Sequence, residues 1–239
     1  MKIKPILFGL IIALTSAAVC AQAVIITPKK TTYRRPKPLQ DSKSTFTVRR
    51  PVAKAATPAL SRKITAAISP ERVLKLNIRE EMSEYQWLEE ADYKVLFNQD
   101  GVLCVELWMS GTAAYPDGVT GRVVVDPATG APVRPANVFQ NLPVLAKIVK
   151  KAQAAEIATA TKGMKSDPEA RPSDLFSDSN FTVADFKQFS VDARGVTFYY
   201  DYGFPHVIQA LEPAGEFNFT WAQLKPFVRS GGLLARFIR

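Results

Sequence analysis

The sequence contains one histidine, His206, and two cysteines, Cys20 and Cys104. A single imidazole excludes zinc centres built from several histidines, including the paired-histidine centre of a deacetylase, and neither H-E-x-x-H nor G-x-S-x-G occurs. With Cys20 inside an N-terminal leader, Cys104 has no intramolecular partner once the leader is removed, so stability has to come from a core rather than from disulfides. Long apolar runs are also scarce: after residue 23 none approaches the ~20 residues needed to cross a bilayer as a helix. Acids are nearly missing from residues 29–63, where Asp41 is the only one against eleven Lys and Arg. That segment carries +10; subtracting it and the two leader lysines from the total of +9 leaves −3 for residues 64–239.

The first 23 residues place Lys2 and Lys4 before an apolar run, Pro5 to Leu14, and small residues at Ala21 and Ala23. This is the layout of a secretory signal peptide, with cleavage after Ala21 or Ala23, and it predicts an exported, periplasmic or secreted protein. A lipoprotein anchored through Cys20 is the alternative, against which stands Val19 at a position that wants a smaller residue. Residues 24–44 are rich in Lys, Arg, Pro, Thr and Ser with few large apolar groups, and predict a disordered basic tether. Such a tether is either a solvated spacer or an adhesive for an anionic surface through Lys29, Lys30, Arg34, Arg35 and Lys37. An exported chain rarely meets nucleic acid, so none is expected as a partner.

Residues 45–239 are long enough for one domain with a core of its own. Thr57-Pro58 is a cap followed by proline at the first helical position, and Leu60, Ile64, Ala67 and Ile68 repeat at helical spacing. Ser69-Pro70-Glu71 restarts a helix with Val73, Leu76, Ile78, Met82 and Tyr85 on one side; the acids Glu80, Glu81, Glu84, Glu89 and Glu90 read as its solvated face. From Tyr93 the period becomes that of strands: Tyr93, Val95 and Phe97 alternate, Asn98-Gln99-Asp100-Gly101 is a hairpin turn, and Val102 to Met109 is a second strand. Val123-Val124-Val125 with Asp126-Pro127-Ala128-Thr129-Gly130 reads as a strand and a turn in which Gly130 supplies positive φ. Leu142 to Ala160 is a helix, Thr161 to Ser179 a loop, and Phe189–Val191, Val196–Tyr200 and Phe217–Trp221 are strands, with a short last helix from Pro226. Hairpin-linked strands and clustered helices give an α+β fold, an antiparallel sheet with helices packed on it in two layers.

The run from Asp126 through Thr129-Gly130 to Val138-Phe139 resembles the central motif of a family of secreted domains. These form the sensing part of RsiV-like, lysozyme-responsive anti-sigma factors and also accompany PdaC-like polysaccharide deacetylases. Thr45-Phe46-Thr47-Val48 with Pro51-Val52 resembles the family's first strand, and residues 185–228 its closing segment. Where members often carry Gly-Gly-Ala-His-Pro, this sequence has Gly111-Thr112-Ala113-Ala114-Tyr115-Pro116, so any role of that histidine is not inherited. The resemblance implies recognition of a ligand, lysozyme or a cell-wall glycan such as peptidoglycan, without catalysis. Because Met1 leads straight into the leader, no cytoplasmic anti-sigma segment is expected.

Side-chain chemistry gives no clearer site. Cys104 and His206 are a conceivable nucleophile and base, but Cys104 sits in an apolar strand where a buried, inert thiol is expected. Asp117, Asp126 and Asp201 lack the spacing of a calcium loop and read as turn formers, so neither a metal nor a cofactor is expected. The aromatics remain. Tyr202, Phe204 and His206, with Tyr115, are candidate ligand contacts; Phe198, Phe217 and Phe219 are assigned to the core. A cell-wall hydrolase using unidentified carboxylates and a structural envelope protein are the competing readings. Two close carboxylates with raised pKa in a cleft would mark the first.

Overall fold

The computed structural model describes residues 24–112, 115–164 and 171–238. The expected leader, its cleavage points and Cys20 lie outside the described residues.

Two strands open the fold, β1 (Ile25–Arg34) and β2 (Thr45–Lys54), followed by α1 (Pro58–Ala67), α2 (Pro70–Val73) and α3 (Ile78–Ser83). Then come β3 (Leu88–Gln99), β4 (Val102–Thr112), β5 (Pro116–Asp126) and the short β6 (Ala131–Pro132). These six strands form one curled sheet in sequence order, antiparallel except for a short parallel pairing of β2 with β3 at Thr47–Val48. After α4 (Pro135–Val138), α5 (Leu142–Met164) and α6 (Pro172–Leu175), the strands β7 (Phe189–Val191), β8 (Gly195–Tyr199) and β9 (Glu216–Thr220) make a separate antiparallel sheet, and α7 (Trp221–Leu224) follows. The fold class is α+β.

The basic segment is not a disordered tether. β1 pairs with β2 along its whole length, from Ile25 opposite Lys54 to Arg34 opposite Thr45. Composition hid this because β1 borrows its order from β2, whose Phe46 and Val48 are buried, and contributes few buried side chains itself. Arg35 is likewise no surface contact: it is 2% exposed, donates to the carbonyls of Glu81 (2.9 Å) and Leu88 (2.8 Å), and lies over the Phe46 ring. Its charge is answered by Glu81 at 3.7 Å, which is also buried and accepts from the Leu88 amide, so Glu81 leaves the solvated face expected of it. Burial lowers the Arg35 pKa and raises that of Glu81.

Pro28 faces Pro51 across the ribbon. Neither has an N–H, so the pair occupies a non-hydrogen-bonded position, where missing donors point away from the partner strand. β2 therefore offers no donor toward β3 at Pro51, consistent with the pairing between them being confined to Thr47 and Val48. The inward face of β2 also changes halfway: Phe46 and Val48 are buried at one end, Pro51 and Ala53 at the other, with Arg49 and Arg50 between.

Packing covers both faces of the large sheet. Leu103, Val105, Leu107 and Val125 meet Ile64, Ala67, Ile68 and Leu74 from α1 and its continuation, a two-layer unit. Thr57 caps α1 by accepting from the Leu60 amide, with Pro58 next, as the sequence anticipates. The opposite face places Val102, Cys104 and Val124 against α5 and the small sheet, around Phe139, Phe186 and Phe198. The expected single helix after Pro70 is two short ones, broken at Lys75 with φ 60°. No helix starts at Pro226: α7 precedes it, and the next regular turn is a 3-10 turn over Leu233–Phe237. α5 runs four residues beyond the expected end.

The family-like motif acts as a turn and an anchor. Asp126 accepts from the Ala128 amide (2.9 Å) and the Thr129 hydroxyl (3.0 Å), and its carbonyl takes the Gly130 amide at 2.8 Å. Gly130 has φ +72°, and a Cβ there would stand 2.8 Å from Lys63. Phe139 is fully buried between Phe189 and Phe198 and bridges to Val228, tying the motif to the C-terminal segment.

Candidate functional site: a polar cleft with an aromatic rim

Strand alternation builds the floor of the site. The face of β4 that turns Val102 and Cys104 into the core presents Glu106 next, and the face of β5 that buries Val124 presents Arg122 and then Thr120. Glu106 and Arg122 are directly opposite in register and pair at 2.7 Å. The Arg122 guanidinium lies 3.4 Å from the centre of the Tyr199 ring, on the small sheet, whose hydroxyl is 2.9 Å from that of Ser190. The Nε of Arg122 is buried with no protein partner. Burial raises the Tyr199 pKa.

The wall is the excursion between β8 and β9. Its neck is closed where the Tyr200 amide donates to the Gly215 carbonyl at 2.9 Å; Gly215 has φ +62°, and a Cβ would sit 1.9 Å from the Tyr200 oxygen. Inside the neck, Asp201 accepts from the Gly203 amide (2.8 Å) and Glu212 from the amides of Tyr202 and Gly203 (both 3.0 Å). Burial and the neighbouring Asp201 raise the Glu212 pKa, opposed by those amide bonds. Between this wall and the floor lies a cleft of about 720 Å³, with Thr120, Arg122, Tyr199, Asp201, Gln209 and Glu212 in its lining.

The candidate contacts divide into two pairs. Tyr202 and Phe204 turn inward, 9% and 7% exposed, against Phe176 and Met164, and only border a smaller hollow of about 350 Å³. The Tyr202 hydroxyl donates to Glu156 of α5 at 2.7 Å, and burial beside that carboxylate raises its pKa strongly. Tyr115 and His206 are exposed and meet at a ring-centroid distance of 5.5 Å, next to Val207, 80% exposed. The tip of the β4–β5 hairpin thus reaches the rim of the excursion. Trp221 belongs to the core, stacked on Phe237 at 4.6 Å.

The other candidates are accounted for. Cys104 is fully buried, and burial pushes its thiol up to about 12, so it stays protonated and is no partner for the exposed His206. Asp126 and Asp201 hold turns, whereas Asp117 lies in β5 opposite Gly111 and accepts only from the next amide, Gly118; no metal-holding cluster occurs among the described residues. The sequence reading missed Glu106, Arg122, Glu156 and Glu212. A lone acid between Val105 and Leu107 in an apolar strand was the available signal for Glu106; the other three are defined only by tertiary contacts.

No protein-family profile and no curated protein matches the chain. Solved structures do. A member of the DUF3298 family from Bacteroides fragilis aligns over 90% of this chain and 96% of its own, at 14% identity and TM-score 0.55. A DUF3298 family protein from Pseudomonas aeruginosa PAO1 aligns over 88% and 96%, at 13% identity and TM-score 0.55. The chain shares their fold. Its structural neighbours are thus members of a domain family of unknown function.

Proposed function

We propose that this chain is an exported, periplasmic or secreted domain of the cell envelope that recognises a ligand and performs no chemistry on it. The observation that carries the reading is the contact of Tyr115 with His206, an exposed aromatic pair with Val207 on the same excursion whose Asp201, Gln209 and Glu212 line the polar cleft. Flat rings at the edge of a cleft are common recognition elements, and large exposed apolar side chains gathered at one place mark interaction sites.

The ligand we propose is a basic protein of the lysozyme kind. Asp185, Asp201, Glu212 and Glu216 outnumber Arg122 and Lys187 in the cleft lining, a charge balance that attracts a cationic partner. The resemblance of the Asp126 to Phe139 motif to lysozyme-responsive sensing domains points the same way. Against a hydrolase stands the work the carboxylates already do: Glu212 and Asp201 each accept backbone amides that shape the excursion.

The test is binding of the purified protein to lysozyme and to peptidoglycan fragments, with Tyr115→Ala and Val207→Ser. The double variant should bind lysozyme about thirtyfold more weakly, the loss of roughly 2 kcal/mol usual for an anchor. Unchanged affinity places the site elsewhere. Binding to glycan alone replaces the protein ligand by a glycan, and peptidoglycan turnover that is abolished by Glu212→Gln establishes the hydrolase.

A further inference from the structure

The β1–β2 ribbon is the outer edge of the large sheet, with β2, β3 and β4 between β1 and the strand that floors the cleft. Its cations fall into two sets. Arg35, Lys43, Arg49 and Arg50 are matched by Glu81, Glu89, Asp92 and Glu71. Lys29, Lys30, Arg34 and Lys37, with Lys54 at the end of β2, are exposed and, among the described residues, have no ion pair. Folding thus gathers four of these five unmatched charges along one strand and the loop that follows it.

That loop carries an apolar residue in a fixed position. Leu39 is 55% exposed, yet its amide donates to the Gln86 side chain at 2.9 Å, and the same Gln86 amide group donates to the Lys37 carbonyl at 3.0 Å. Gln86 is itself 2% exposed and has φ 51°, a conformation that costs a non-glycine residue energy. Its chain neighbour Tyr85 is 62% exposed. A buried, strained glutamine therefore holds an exposed leucine beside an exposed tyrosine at the end of a row of free cations. Strand addition is a poor use of this edge, because Pro28 removes a donor from it.

We propose that the ribbon and its loop dock on the surface of an anionic phospholipid bilayer. Lys30 and Arg34, which share a face of β1, would meet the phosphate groups together with Lys37, while Leu39 and Tyr85 would enter the boundary between headgroups and acyl chains. The combination is what the partner requires: unmatched positive charge for the surface potential, and an aliphatic and an amphipathic aromatic side chain for the interface. A purely electrostatic polyanion such as nucleic acid would need the charges and leave Leu39 without a role. Docked this way, the protein would keep the cleft free for a second partner. The proposal does not depend on what the cleft binds.

Co-sedimentation with vesicles tests it, using phosphatidylcholine alone against phosphatidylcholine with phosphatidylglycerol. The purified protein should bind only the anionic vesicles, and more weakly as salt rises from low to 0.5 M. Replacing Lys29, Lys30, Arg34 and Lys37 by Gln should weaken binding about tenfold or more, and Leu39→Ser with Tyr85→Ser should weaken it about tenfold. Lys147→Gln, Lys150→Gln and Lys151→Gln, on the exposed side of α5, should change it less than about twofold. Leu39→Trp should show a blue shift on addition of anionic vesicles beyond that of the parent, whose Trp87, Trp108 and Trp221 also emit, and this difference reads docking whether or not the multiple variants fold. Equal loss from the α5 variant would reduce the effect to net charge and overturn the site. So would binding to neutral vesicles, a Leu39→Trp emission shifted no further than the parent's, or binding to DNA in the absence of binding to vesicles.

Discussion

Tyr202 and Glu156 are 46 positions apart in sequence, and the hydroxyl of the first donates to the carboxylate of the second at 2.7 Å. Glu156 also accepts from the Gly215 amide at 3.2 Å, so one carboxylate of α5 holds both ends of the excursion that walls the cleft. Two residues of the aromatic stretch thus support the proposed recognition surface from beneath, and the rim formed by Tyr115 and His206 is what remains outside.

Tyr202→Phe keeps the ring and removes the bond, and should lower stability by about 1–3 kcal/mol in urea denaturation. Tyr202→Ala with Phe204→Ala empties the aromatic cluster and should cost about 5 kcal/mol or more. A Tyr202→Phe variant as stable as the parent would show that the bond to Glu156 contributes nothing in solution.

Deleting residues 24–42 removes β1 together with Arg35 and leaves Glu81 buried without its partner. Breaking a buried pair costs about 3–5 kcal/mol, so the melting temperature should fall by about 10 °C or more. An unchanged melting temperature would mean that the strand is not docked on β2.

Glu212 makes stability depend on pH with a definite sign. Its folded pKa lies above the ordinary carboxylate value, so the folded state holds the proton more tightly and the group's stabilising contribution is complete in acid. That contribution is lost as pH rises through the folded pKa. Measured from pH 4 to 7, the parent should lose stability relative to Glu212→Gln, whose side-chain oxygen can still accept the amides of Tyr202 and Gly203. A constant difference across that range would remove the raised pKa.

Gly130 and Gly163 separate a conformational glycine from an incidental one. Gly130→Val forces a branched side chain into positive φ and against Lys63, and should cost about 2 kcal/mol or more. Gly163 lies in the last turn of α5 with open space around it, so Gly163→Ala should be neutral or add up to about 1 kcal/mol in thermal melts. Equal losses at both would contradict the turn.

Local chemistry made the class of fold readable, along with the Thr57-Pro58 helix start, the Asp100-Gly101 and Asp126–Gly130 turns, and the buried state of Cys104. Each depends on residues within a few positions of one another. The ordered β1 was not readable, because a strand with Thr, Lys and Pro in alternation is stable only when another strand supplies its hydrogen bonds and most of its buried surface. Lys75 broke the expected helix by taking positive φ, which no neighbouring residue announces. At the site, the aromatic composition of residues 199–206 was visible, but which rings face outward was set by Glu156 on α5 and Phe176 near α6. Arg122 and Glu106 found each other only through the register of β4 and β5.

The switch of inward face along β2 has a mechanical effect on the whole ribbon. A slip of one residue would turn Phe46 and Val48 to water at one end while lifting Pro51 and Ala53 out of their contacts at the other. Both ends therefore oppose the same slip, one from each face of the sheet. β2 is thereby confined to a single alignment in the sheet, and β1, paired with it residue by residue from Ile25 to Arg34, lies along a strand that cannot shift.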